Sequence, residues 1–221
     1  MFSILLILTT SLAAAEPKPE RLLFVGNSIT RHGPAPKIGW TGNWGMAASE
    51  ESKDYVHRVV AAIEQQTGKR PAFRVVNVAE FERGFEAYDP AAKLKEEIAF
   101  QPDAIVLAIG ENVPALKTPD SAKKFAEATV RLLQQLKGGR PCAVYVRSCF
   151  WAEPVRDGAL REACTAVGGV FVDVGALGKD EANYARSERK FEHDGVARHP
   201  GDRGMQALAD AIAAAMVKSG K

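Results

Sequence analysis

The sequence predicts an α/β protein, a three-layer α/β/α sandwich built on a five-stranded parallel sheet. Five short apolar runs alternate with helix-like segments along the chain. Strands that alternate with helices imply right-handed crossovers, a parallel sheet and helices on both of its faces. With 221 residues the chain can bury one sizeable core but not two, so a single domain over residues 16–221 is expected.

The elements follow in order. Phe2 to Leu12 are apolar and run into Ala13-Ala14-Ala15, the pattern of a secretory signal peptide cleaved before Glu16, so residues 1–15 are expected to be removed. That run is too short to anchor in a bilayer. The mature protein is therefore expected to be exported, periplasmic or extracellular, with no membrane partner. The first strand covers about Arg21 to Val25, inside LLFVGNSIT. The loop TRHGPAPKIGWTGNWG has no period, and a long loop of this kind in a compact domain is usually functional.

Tyr55, Val56, Val59, Val60 and Ile63 lie at helical spacing in a helix ending at Gly68, and Phe73 to Val78 is the second strand. Pro90 to Phe100 reads as a short helix and Asp103 to Ile109 as a fully apolar strand. A helix from Ser121 to Leu136 stops at Gly138-Gly139. Cys142 to Val146 is the fourth strand, Leu160 to Val167 a helix, and Gly169 to Val174 the fifth strand. A polar stretch from Gly175 to Arg198 precedes a final helix from about Asp202 to Val217.

Composition narrows the function classes. A hydrophobic content of 46%, a charged content of 25% and a net charge of +2 describe an ordinary globular protein with no bias toward nucleic acid. Cys142, Cys149 and Cys164 show no metal-ligand spacing. A Cys149–Cys164 disulfide is conceivable in an oxidising compartment, as are three buried free thiols. Neither a phosphate-cradling glycine loop nor a metal-suited carboxylate and histidine cluster is present, so no metal or organic cofactor is expected.

The unusual polar residues fall just after strands, which in a parallel sheet share one edge. Ser28 follows the first strand, FERGF the second, Gly110-Glu111-Asn112 the third and HDGVARHPGD the fifth. Acyl transfer needs a hydroxyl, a base and oxyanion donors at one place, so Ser28 is the candidate nucleophile. His199, in a constrained turn before the last helix, is the candidate base. His57 sits within a helix and reads as structural; His32 and His193 are minor alternatives. Asp194 is the candidate for orienting the base, with Glu192, Asp202 and Asp173 as further options, Asp202 more naturally capping the last helix. The Ser28 amide and the Asn112 side chain are candidate oxyanion donors.

GNSIT around Ser28, GEN around Asn112 and DGVARHP followed by GDRGMQALADAI together resemble the SGNH hydrolases, the GDSL-like lipase and acylhydrolase family. The resemblance covers nearly the whole mature chain. It implies a flavodoxin-like sheet, a Ser–His–Asp triad and hydrolysis of esters, often O-acetyl groups on carbohydrate. Ser28 then matches the nucleophile and first oxyanion donor, Asn112 another donor and His199 the base. The chain departs from the family pattern in three places. Asn27 replaces the aspartate before the serine. Val196 occupies the usual position of the acid, so Asp194 fits only with two extra loop residues. Glu82 stands where a glycine amide is expected, which leaves the Glu82 or Gly84 amide to supply that donor.

Arg83 is expected beside the site, to bind an anionic group or to pair with Glu82 or Glu111. Glu111 and Arg83, with a platform of Trp40, Trp44 and Trp151, are the candidate substrate contacts. The expectation is a serine esterase that removes small acyl groups, foremost acetyl, from a carbohydrate or related polar ester. A lipid esterase or thioesterase, and a catalytically idle carbohydrate-binding protein on the same fold, are the alternatives. The oligomeric state is left open.

Overall fold

The strands pair in the order β2-β1-β3-β4-β5, all parallel, with β1 at Arg21–Gly26, β2 at Ala72–Asn77, β3 at Ala104–Ala108, β4 at Ala143–Arg147 and β5 at Val170–Val172. This computed structural model describes residues 19–219. The cleavable leader expected at residues 1–15 lies outside the described residues.

Eight helices connect or flank the strands among the described residues: α1 (Tyr55–Thr67), α2 (Ala79–Gly84), α3 (Pro90–Lys93), α4 (Lys95–Phe100), α5 (Pro119–Lys137), α6 (Pro154–Ala166), α7 (Asp194–Ala197) and α8 (Asp202–Ser219). Their ends follow local chemistry. Asp54 caps α1 by accepting from the His57 amide at 2.8 Å, and Gly68 ends it at φ 72°. Thr118 and Ser121 form a reciprocal capping box on α5. Glu153 caps α6 through the Val155 and Arg156 amides, so this helix starts well before the expected Leu160. The expected Pro90 to Phe100 helix is two short ones broken at Leu94. Helix α2 has six residues, too few to show a helical period in the sequence.

Strand side chains alternate between two cores, as the period of two requires. Leu23, Val25, Ile105, Leu107 and Val146 face α5 and α6, while Leu22, Phe24, Val106 and Tyr145 face α1 and α8. The three-layer α/β/α prediction holds, and the strand order is the flavodoxin-like one. All three cysteines are free thiols, so the conceivable Cys149–Cys164 bridge is not formed.

This order places one crevice. The chain runs from β1 to the edge strand β2 and returns to β3 on the other side of β1, which makes the carboxyl ends of β1 and β3 the topological switch point. Gly26 pairs with Ala108, so the segments that follow leave the sheet side by side. A Cβ on Gly26 would overlap the Thr30 side chain and lie 2.8 Å from the Ala108 carbonyl oxygen. Only glycine admits the turn that follows at this spacing.

Candidate active site

The turn after β1 is closed by Asn27. Its carbonyl accepts from the Thr30 and Arg31 amides at 2.9 Å, and its side-chain oxygen accepts from the Ile29 amide at 3.1 Å. Ser28 is thereby presented at the crevice with its side chain directed to His199. The Ser28 Oγ lies 2.8 Å from His199 Nε2. Both residues line a cavity of about 320 Å³, together with Asn112, Asn77, Ala79, Arg83, His32 and His193.

His199 is oriented by main chain. Its Nδ1 lies 2.7 Å from the Gly195 carbonyl oxygen. The reason is local: the His199 amide donates to Val196 O at 3.0 Å rather than to the carbonyl four residues back. This three-residue tightening leaves the Gly195 carbonyl free for the ring. A carbonyl only accepts, so Nδ1 carries the hydrogen and Nε2 presents a lone pair to the Ser28 hydroxyl. Trp151 meets the imidazole edge to face at 5.7 Å. Burial, the dominant influence, lowers the His199 pKa below its ordinary value, against the opposing effects of the Gly195 carbonyl and Glu111. The ring is therefore neutral near pH 7 and able to take a proton.

Asp194 does not reach this histidine. It is exposed at the first position of α7, where its carbonyl accepts from the Arg198 amide, and the His199 Nδ1 contact is made by Gly195 instead. Asp173 and Asp202 are committed elsewhere, and Glu192 makes no contact with His199 among the described residues. Asp173 accepts from Ser148, Gly175 and Arg161, and Asp202 accepts from Ser49 at 2.7 and 2.6 Å. Asp202 does not cap α8 either; Glu188 does, by accepting from the Asp202 and Arg203 amides.

The oxyanion donors also differ from the expectation. The Glu82 amide donates to Val78 O within α2, so it is not free to face a substrate. Gly84 is exposed and does not line the cavity. The donors at the cavity are the Ser28 amide, which has no acceptor among the described residues, and the Asn112 side chain.

Glu82 contributes its carboxylate instead. It is fully buried and accepts from Gly110 N (2.6 Å), Asn112 N (3.2 Å), Asn112 Nδ2 (2.7 Å) and Asn27 Nδ2 (3.1 Å). The Glu111 side chain is buried as well and does not line this cavity, contrary to its expected role at the substrate. It accepts from Arg147 Nη1 (2.6 Å), Phe150 N (2.9 Å) and Asn27 Nδ2 (2.7 Å). Burial alone pushes Glu111 up, but the Arg147 guanidinium outweighs it and holds the carboxyl below its ordinary value. Glu82 has no such cation. Burial and the neighbouring Glu111 charge raise it. Arg147, a lone cation closing the apolar run VYVR, carries the sequence signal for this pair: a charge on a buried strand needs a buried partner.

The tryptophans form no platform. Trp40 is buried against Trp44, Met46 and Val196, and donates to His32 O. Trp44 donates to Ala48 O and packs on the same cluster. Trp151 packs on Phe150 and His199, and none of the three lines the cavity. Arg83 does line it, and pairs with neither Glu82 nor Glu111.

Comparison with solved structures identifies the architecture. An acetyl xylan esterase from the rumen bacterium Butyrivibrio proteoclasticus superposes with a TM-score of 0.54 at 14% identity, over 88% of this chain and 62% of that one. The acetyl xylan esterase AlAXEase gives 0.53 at 16% identity over 88% and 98% of the two chains. A protein described as a GDSL-like lipase from Bacteroides uniformis gives 0.51 at 13% identity over 87% and 93%. The chain has the SGNH-hydrolase fold. No protein-family model and no curated protein sequence matches it. At the switch-point crevice of this fold Ser28, Asn112 and His199 converge, and a peptide carbonyl meets His199 Nδ1.

Proposed function

We propose that the protein is a serine esterase working through a Ser28–His199 dyad, and that it removes small acyl groups, foremost acetyl, from a polar ester such as a substituted carbohydrate. The observation that carries this reading is the Ser28–His199 contact of 2.8 Å, with the tautomer of His199 set by Gly195. In attack, Ser28 Oγ bonds to the ester carbonyl carbon while Nε2 takes its proton. The imidazolium then protonates the leaving alkoxide, and water hydrolyses the acyl-enzyme by the same route. The Ser28 amide and Asn112 Nδ2 stabilise the oxyanion.

The cavity supports a small, polar substrate end. Its volume of about 320 Å³ lies at the lower end of ligand sites. Its lining includes no carboxylate and one permanent cation, Arg83. An alcohol component that carries a carboxylate or similar anion near the ester fits that lining, whereas a long acyl chain does not. Export of the mature chain from the cytoplasm belongs to the same proposal.

The test is hydrolysis of a chromogenic acetyl ester and labelling by a fluorophosphonate, each with the Ser28→Ala protein as control. Wild type is expected to turn over and to be labelled once, and Ser28→Ala to do neither while unfolding at the wild-type temperature. Undiminished turnover by Ser28→Ala refutes the assignment. A well-folded wild type that neither hydrolyses nor labels favours a binding protein.

A further inference from the structure

We propose that Glu82 is the positioning residue of the oxyanion site, and that residue 27 is asparagine because its amide must bridge two carboxylates. This rests on the esterase reading and names a residue that the reading does not use. Glu82 holds Asn112 at two points, one carboxylate oxygen on its amide at 3.2 Å and the other on its side-chain Nδ2 at 2.7 Å. A third bond fixes the Gly110 amide at 2.6 Å, at the residue whose φ of 124° starts the loop. One Nδ2 hydrogen of Asn112 is thus committed to Glu82. The other is left for the cavity that Asn112 lines beside Ser28.

The bridge explains the unusual residue before the serine. Asn27 Nδ2 has two hydrogens, and they go to Glu82 at 3.1 Å and Glu111 at 2.7 Å. Among the described residues only one cation, Arg147, reaches this pair of carboxylates, and it bonds to Glu111. An aspartate at position 27 removes both donors and adds a third negative charge between the two. An acid ahead of the serine would fit by shape but would face Glu82 and Glu111 with no proton to donate. Asn27 and Glu82 are therefore matched as donor and acceptor.

The isosteric change Glu82→Gln separates positioning from packing. Its oxygen keeps the Gly110, Asn112 and Asn27 amide donors, but its new Nε2–H₂ faces Asn112 Nδ2. Two donors cannot face each other, so the Asn112 amide turns over and presents Oδ1 to the cavity. An oxyanion donor becomes an acceptor, and the group that remains is repulsive to the developing charge.

The experiment is a double-mutant cycle on a chromogenic acetyl ester with the wild type, Glu82→Gln, Asn112→Ala and the double variant. Removal of an oxyanion donor costs about 10²–10³-fold in kcat. Glu82→Gln and Asn112→Ala are each expected to fall by that order at near-constant KM, and the double variant no further than either one. Asn27→Asp is expected to lose stability as well as rate. Equal losses that multiply in the double variant, or a Glu82→Gln protein within about threefold of wild type, overturn the proposal. If Glu82→Gln is too unstable to assay, Glu82→Asp serves: positioning predicts lost kcat at a retained melting temperature. A wild type that hydrolyses no ester refutes the esterase reading instead, which the fluorophosphonate label reports separately.

Discussion

Replacing Asp194 with asparagine distinguishes a dyad from a triad. In a Ser–His–Asp triad the aspartate to asparagine change costs about 10⁴-fold in kcat, which is about 5.5 kcal/mol of transition-state stabilisation. In this protein the Nδ1 position is filled by the Gly195 carbonyl at 2.7 Å, and Asp194 is exposed on α7. Its charge acts on the imidazolium only through solvent, where an exposed charge contributes at most about 0.5 kcal/mol, or roughly a twofold rate effect. Initial rates on a chromogenic acetyl ester between pH 5 and 8 are expected to agree within that factor for Asp194→Asn and wild type.

The pH profile supplies the second half of this test. The neutral imidazole is the active form, so kcat/KM rises with pH as His199 loses its proton. Burial lowers the His199 pKa, which places the midpoint of this acid limb below about 6.5 in both proteins. A loss of 10² or more in Asp194→Asn, or an acid limb that moves by a full pH unit, refutes the carbonyl-held dyad and restores the aspartate as partner.

Two further outcomes are expected. Arg147→Met leaves Glu111 buried with its Phe150 and Asn27 donors but no cation, and breaking a buried pair on one side costs about 3–5 kcal/mol. Calorimetry should show a melting temperature lower by about 6–20 °C, with Arg147→Met/Glu111→Gln recovering most of it; an unchanged melting temperature counts against the buried pair. Arg83→Gln should raise KM about tenfold for an acetyl ester that carries a carboxylate, in keeping with a charge-assisted bond of about 1.5 kcal/mol, and leave a neutral acetyl ester unchanged; equal effects on both esters remove Arg83 from recognition.

Ser28, Asn112 and His199 were legible because each follows a strand or precedes a helix, and a parallel sheet brings such ends to one edge. The partner of His199 was not, because a peptide carbonyl belongs to every residue and leaves no trace in composition. Spacing alone points to Asp194, the acid five residues before His199 on the same loop. Glu82 stands out in the sequence where a glycine amide is expected, but its main-chain amide is spent on Val78 O. Its own chemistry, a carboxylate beside the apolar Phe81 on a helix too short to show a period, was the better signal. The tryptophans misled in the other direction. Loop position suggested an exposed platform, but large apolar rings in a long loop are what lets that loop pack, as Trp40 does against Trp44 and Val196.

The base and the group that orients it lie four residues apart in one continuous turn, from Gly195 to His199. They therefore travel together. Any displacement of this turn relative to β1 carries the imidazole away with its tautomer intact, and changes only the 2.8 Å gap to the hydroxyl. In the proposed esterase, a shift of this turn would act as an on-off contact, visible as a change in the fraction of competent molecules, and not as a graded change in the basicity of His199. A three-piece triad assembled from separate loops has no such separation.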